Sequence, residues 1–195
     1  MGGSFNPIHT GHIETMNAAK KKAEQQGFEV LAGFLAVAND QWVNKTKPRG
    51  HAIPAQHRIN MCREAVKNNE WIKVPPVPYV SAKRLFEDVI NDYSKKGRVA
   101  MFIVSGEDKY RRNNHKHKIQ SICVSRSVDS DNQDLLQAVK PGLSSSLVRE
   151  YLIKTKPTIK CLKELVKKGQ LSIHVGKYIV ANIKALNTSV PLLFK

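Results

Sequence analysis

The sequence predicts an α/β domain built on a parallel sheet, with helices taking over in its last third. Three observations carry this prediction. Stretches of helical period alternate with stretches of strand character from residue 13 to residue 124, the pattern of a parallel sheet whose crossovers are helices. Val99–Val104 is a continuous apolar run, as expected of a strand covered on both faces. From Ser145 onward only helical patterns follow. The 195 residues suffice for one domain with a proper core. We read 1–195 as a single unit, with a core over about 1–150 and a helical C-terminal part over about 151–190.

In chain order, Ile13, Met16, Ala19 and Ala23 form one stripe of a helix over 13–26, and Gly27 fits the residue just past its end. Phe28–Val37 reads as a buried strand, closed by the polar break Asn39-Asp40. Residues 41–51 are basic and irregular, and a connection of that length predicts a binding loop. Pro54 suits the first turn of the next helix, whose apolar face carries Ile59, Cys62, Ala65 and Val66. Trp71–Val74 is a short strand, and the prolines at 75, 76 and 78 force extended backbone after it. Ser81 caps a helix to about Ser94 with Leu85, Phe86, Val89, Ile90 and Tyr93 on its core face. The run Val99–Val104 ends in Ser105-Gly106-Glu107-Asp108, and ligands bind beyond the carboxyl ends of such strands. Ile119–Val124 is the next strand, and Ser125–Lys140 is polar and ambiguous. Helices over 145–154, 158–168 and 174–185 complete the chain, before an apolar tail, Pro191-Leu192-Leu193-Phe194, that either docks or frays.

Composition narrows the function classes. Hydrophobic residues at 41% and charged residues at 25% are ordinary for a soluble globular protein, and no apolar run is long enough to span a bilayer, which argues against a membrane partner. The Gly-rich, polar start is unlike a basic-then-apolar signal peptide. Cys62, Cys123 and Cys161 are far apart, odd in number and set in apolar patterns, which predicts buried free thiols in a reducing compartment, cytoplasmic or nuclear. A net charge of +16 favours anionic partners without choosing among nucleotides, nucleic acid and acidic surfaces. Its densest cluster, Lys109–Lys118, reads better as a solvated loop than as a nucleic-acid patch.

The most informative stretch is Gly2-Gly3-Ser4-Phe5-Asn6-Pro7-Ile8-His9-Thr10-Gly11-His12. Its glycines allow a tight turn and a close approach to a ligand. His9 and His12, three apart, share one face of a helix start, where N–H groups and a partial positive charge suit phosphate. The ordinary alternative is a plain turn with surface histidines. A second stretch, Lys140-Pro141-Gly142-Leu143-Ser144-Ser145-Ser146-Leu147-Val148-Arg149, places hydroxyls at a helix start and Arg149 one turn on, either as a second phosphate contact or as a serine-capped helix with an exposed arginine.

Together these stretches resemble the signatures of the nucleotidyltransferase superfamily built around a His-x-Gly-His element, and Gly-Ser-Phe-Asn-Pro is most similar to its nicotinamide/nicotinate mononucleotide adenylyltransferases. Leu143–Arg149 resembles that family's Ile-Ser-Ser-Thr-x-x-Arg. Arg49–Arg58 with Asn68-Asn69-Glu70-Trp71 resembles its Gly-Leu-Ile-Pro-Ala-x-His-Arg and Asn-x-x-Trp elements. Gly106-Glu107-Asp108 resembles its Gly-Ala-Asp, and Gly169-Gln170-Leu171 through Tyr178-Ile179 its closing segment. The resemblance departs from the family pattern at Lys109-Tyr110-Arg111-Arg112, where a tryptophan is absent, and at Glu107, which replaces an alanine.

The resemblance implies a Rossmann-like nucleotidyltransferase domain that moves the adenylyl group of ATP onto nicotinamide or nicotinate mononucleotide, with Mg²⁺ accompanying ATP. It implies catalytic roles for His12, His9 and Arg149. It implies ATP contacts from Gly3, Ser4, Phe5, His9, His12, Gly106, Asp108, Ser144, Ser145 and Arg149. Mononucleotide contacts would come from Ser4, Phe5, Lys45 and Trp71, with Lys47 assisting; Trp71 stacks on the pyridine ring or else is a core tryptophan at a strand start. Two other readings stay open: a nucleotidyltransferase of cytidylyltransferase or phosphopantetheine adenylyltransferase specificity, and a catalytically inactive binding protein on the same fold. The oligomeric state also stays open, a homo-oligomer included. In this fold class a strand normally feeds the phosphate loop, and only Met1 precedes Gly2, so we expect that first strand to be missing and the chain to start at an internal methionine of a longer protein.

Overall fold

Residues 33–37 form the spine of one half of the sheet, because successive amides bond to opposite neighbours. Gly33 and Leu35 donate to the carbonyls of Trp71 and Lys73, while Ala36 and Ala38 donate to those of Met1 and Gly3. The computed structural model describes residues 1–95, 97–106, 121–125, 136–137, 143–155 and 158–194. The strands are β1 (Gly2–Gly3), β2 (Gly33–Phe34), β3 (Ala36–Val37), β4 (Ile72–Lys73), β5 (Ile103–Gly106), β6 (Ser121–Ser125) and β7 (Leu136–Gln137). Every ladder among the described residues is parallel: β1 with β3, β2 with β4, and β5–β6–β7. The strand that feeds the first loop is thus represented by Gly2–Gly3, paired with Ala36–Val37.

The helices are α1 (Thr10–Gln25), α2 (Asp40–Thr46), α3 (Ala55–Ala65), α4 (Ala82–Ser94), α5 (Ser145–Thr155), α6 (Ile159–Lys167), α7 (Ile173–Ala181), α8 (Ile183–Ser189) and α9 (Pro191–Phe194). α1 buries Met16, Ala19 and Ala23, the expected stripe, and Gly27 follows it with φ of 84°. Ser81 caps α4 and Thr158 caps α6, each accepting a backbone N–H from three residues on. Leu193 is fully buried, so the tail docks. The three cysteines are buried and free. No helix among the described residues is long and apolar enough to cross a membrane.

Four expectations need correction. Residues 41–51 do not form one irregular loop: α2 occupies most of the segment. The Asn39 side chain accepts the Trp42 N–H at 2.8 Å, Val43 is fully buried, and Pro48 follows the helix. One buried residue in seven leaves no periodic signal, which hid the helix. The helix expected over 174–185 breaks at Asn182 into α7 and α8. β7 lies in a stretch whose polarity masked it. On α4 only Leu85 of the expected core face is buried; Phe86, Val89, Ile90 and Tyr93 line an apolar cavity of about 430 Å³ that Met1, Phe34 and Val104 also border. The cavity is bordered by residues of β2 and β5 as well as by α4, so this face of α4 lies over a gap instead of a continuous surface.

Candidate active site

The loop after β1 leaves the sheet at its carboxyl end and runs into α1. Phe5 takes φ of 45°, an expensive conformation for a non-glycine residue, and its ring is buried. That ring meets His12 edge-on at 5.0 Å between centroids. His9 precedes α1 and His12 sits in its first turn, and their rings stack at 3.7 Å and 34°. A Cβ at Gly11 would come within 3.1 Å of the His9 ring, so the glycine is what lets His9 fold against the helix start. His9 is buried, whereas His12 is partly exposed. The helix start is less open to a ligand than its sequence implies: the Thr10 N–H donates to the Gln170 carbonyl, and the Thr10 hydroxyl to that of Gly169.

Two polar side chains, both fully buried, hold this loop in place. Asn6 accepts the Ile53 N–H at 2.8 Å and donates to the His51 carbonyl at 2.7 Å. Arg58 donates to the carbonyls of Ile53, Ser4 and Ala38 and to the carboxylate of Asp40, at 2.7–2.9 Å. Burial lowers the Arg58 pKa, and Asp40 opposes that shift. A single guanidinium therefore ties together the loop after β1, the end of β3, the start of α2 and the segment before α3. Sequence reasoning missed both as organisers. Asn6 stands in the sequence only as one member of the glycine-rich stretch. Arg58 carried a signal, because it sits between Ala55 and Cys62 on the buried stripe of α3, where a charge needs a specific partner.

α5 brings the second stretch to the same loop. Arg149, nearly buried, donates to the Asn6 carbonyl at 2.6 Å and to the Ser146 hydroxyl at 3.0 Å. The Ser145 hydroxyl donates to the Pro7 carbonyl, and the Ser144 hydroxyl caps the helix by accepting the Leu147 N–H. Lys47, just past α2, has its pKa lowered first by burial and then by the charge of Arg149. Burial likewise depresses Arg149. The charge of Arg149 thus disfavours that of Lys47, while Glu150 supports the charge of Arg149, and two cations so placed suit an anion with more than one charge.

The structure thus brings His9, His12, Gly3, Ser4, Phe5, Ser144, Ser145 and Arg149 together, though Phe5 and both serines are turned to internal partners. Lys45 is exposed in the last turn of α2, and Lys47 is the lysine near Arg149. Gly106 ends β5; Asp108, Glu107 and residues 140–142 lie outside the described residues, as does the Lys109–Lys118 cluster. Trp71 is not brought to the site. It stands at the amino end of β4, the opposite end from the loop, where a Cβ on Gly33 would meet its ring at 2.3 Å and its indole N–H donates to Asn17. This is the core position of the two that its sequence context allowed. Among the described residues no group of three His, Cys, Asp or Glu side chains could hold a metal ion.

Residues 1–151 match the family model described as cytidylyltransferase-like. The chain is 36% identical over 75 residues to the nicotinamide/nicotinic acid mononucleotide adenylyltransferase 2 of Xenopus tropicalis and 37% identical over 75 residues to that of Danio rerio, in each case covering 38% of this chain and 23% of the relative. It is 31% identical over 74 residues to the nicotinamide/nicotinic acid mononucleotide adenylyltransferase of Arabidopsis thaliana, 38% of this chain and 29% of that protein. The match therefore spans about a quarter of the length of these curated relatives.

Proposed function

The chain belongs to the cytidylyltransferase-like family, and from that premise we propose that it transfers the adenylyl group of ATP to nicotinamide or nicotinate mononucleotide, releasing pyrophosphate. The observation that carries this reading is the Lys47–Arg149 pair of cations beside the stacked histidines, on a loop at the carboxyl end of a parallel strand. A phosphate oxygen of the mononucleotide attacks the α-phosphorus of ATP; the bond from that phosphorus to the bridging oxygen breaks, and the electron pair leaves with pyrophosphate. Such a transfer needs positioning and charge neutralisation more than covalent help. His12 donates to a phosphate oxygen, His9 braces the ring from beneath, and Arg149 with Lys47 receives the charge that develops on the leaving group.

The donors at the site are imidazole, guanidinium, ammonium and hydroxyl groups, a set that fits phosphate oxygens and leaves Mg²⁺ to arrive bound to ATP and neutralise its charge. The choice of mononucleotide rests on the Gly-Ser-Phe-Asn-Pro loop and on the named relatives, since Trp71 lies away from the site. The test is to incubate the protein with Mg²⁺-ATP and each mononucleotide in turn, with phosphopantetheine and, for CTP, phosphocholine as competing acceptors. Dinucleotide formation with a pyridine mononucleotide is expected. Product from the other acceptors alone would assign a different specificity, and no product from any would assign a binding role.

A further inference from the structure

The net charge of +16 is spread unevenly along the chain. Residues 151–195 hold nine lysines and one glutamate, so half of the excess falls in less than a quarter of the sequence. The cations of the candidate active site, Lys47 and Arg149, lie outside that range. α6 carries the most regular part of this charge. Cys161, Leu162 and Leu165 anchor one side of the helix in the core. Lys160, Lys163 and Lys167 are exposed on the other side, where with exposed Ile159 they line a shallow depression. At a rise of about 1.5 Å per residue, the three lysines span about 10 Å of helix.

A second observation sets this row apart from basic residues earlier in the chain. Lys20, Lys67, Lys83 and Arg84 each pair with a carboxylate three or four residues away. Glu164 stands at the same spacings from Lys160 and Lys167, yet it accepts the Tyr151 hydroxyl. No ion pair reaches Lys160, Lys163 or Lys167 among the described residues. Lys168, at the end of the helix, lies over the Tyr151 ring at 5.2 Å. The one carboxylate of this part of the chain is thus engaged with Tyr151, and the lysine row is left uncompensated. Such a row costs the fold through self-repulsion, and a bound polyanion removes that cost.

We propose that the outer face of α6 is a sequence-independent docking surface for the phosphate backbone of a nucleic-acid duplex. Each strand of a duplex carries a phosphate about every 3.4 Å of axis, so the lysine row matches about three of them. Lysine is a compact point charge, suited to phosphate contact and not to forked recognition of a base edge. The large apolar side chains exposed on α5, α6 and α7 are Leu147, Ile153, Ile159 and Ile173, none of them aromatic. An unpaired base therefore finds no exposed ring to stack on, which favours a duplex over a single strand. The depression also receives a ridge of phosphates, whereas a bilayer offers a plane.

The experiment titrates the full chain into a fluorescently labelled DNA duplex of about 20 base pairs and follows anisotropy at about 50 to 200 mM salt. A variant carrying Lys160→Gln, Lys163→Gln and Lys167→Gln is compared with one carrying Lys67→Gln, Lys83→Gln and Arg84→Gln. The second removes the same charge from exposed positions that are ion-paired, and thermal melts check that both variants keep the fold. The wild type is expected to bind duplexes of different sequence alike. Losing the α6 lysines should reduce the slope of log affinity against log salt by about 3 and raise the Kd about tenfold or more. The comparison variant should change that slope by less than about 1. Equal changes in the two variants would reduce the effect to net charge and overturn the proposal. So would a wild type that binds no duplex, binds a single strand of the same length more tightly, or binds phosphatidylserine vesicles in place of the duplex. The adenylyl-transfer reading is scored separately, by dinucleotide formation, and none of these outcomes decides it.

Discussion

The His12 Nδ1 accepts the backbone N–H of His9 at 3.2 Å. An accepting ring nitrogen carries no proton, so the neutral imidazole bears its hydrogen on Nε2. The turn that builds the helix start therefore also sets the tautomer of the ring that would meet the phosphate. His12→Ala should lower dinucleotide formation by about 10²–10³-fold. It leaves the His9 N–H without this acceptor, so a small fall in melting temperature is also expected. Steady-state turnover beside thermal unfolding checks both, and near-wild-type turnover would remove His12 from the machinery.

Lys47 should give opposite signs for stability and binding. Folding lowers its pKa, so the fold disfavours the charged form, and that cost is present at neutral pH. Lys47→Met is expected to raise the melting temperature of the ligand-free protein and to weaken pyrophosphate binding about tenfold or more. Calorimetric titration of both proteins with pyrophosphate, after a thermal melt of each, checks the pair of signs.

Arg58 and Asp40 should not be equivalent, although they form an ion pair at 2.7 Å. Asp40 is half-exposed, whereas Arg58 is fully buried and serves three carbonyls besides. Arg58→Met leaves those carbonyls without their donor and should cost about 3–5 kcal/mol. Asp40→Asn keeps the carbonyl bonds and should cost less than about 1 kcal/mol. Urea unfolding separates the two; equal losses would make the carboxylate the anchor.

His57 on α3 shares a hydrogen bond with the Tyr178 hydroxyl on α7 at 2.8 Å, and burial lowers its pKa. The depressed value means that the unfolded chain binds its proton first as pH falls. The stability contributed by the neutral ring is thus fully present above the unfolded value of about 6.5 and is lost as pH drops from there through the lower folded value. Melting curves of the wild type and His57→Gln should differ in slope below about pH 6.5 and run parallel above it. Parallel curves throughout would show that the contact does not sense the proton.

Much of this molecule was legible because its signals are local. The stripe Met16–Ala19–Ala23, the cap at Ser81 and the shared face of His9 and His12 depend on spacing around one helix each. What was hidden depends on partners far along the chain. Nothing near Arg58 in sequence announces the carbonyls of Ser4 and Ala38, and nothing near Trp71 announces Gly33 and Asn17 as its neighbours. A tryptophan at a strand start reads the same whether it faces substrate or Gly33. α2 was invisible for a third reason: only Val43 is buried, so no period exists to detect.

The hydrogen bonds from Thr10 to Gly169 and Gln170 set an order of events during synthesis. The glycine-rich loop leaves the ribosome well before the carbonyls that close its helix, which lie some 160 positions later. Arg149, which grips the loop at Asn6, also emerges late. The nascent chain therefore carries the loop through some 160 residues of elongation before the candidate site can close. A ligand of this site can hold the fold together only once residue 170 has cleared the exit tunnel, so its stabilising effect passes over chains that stop short of it.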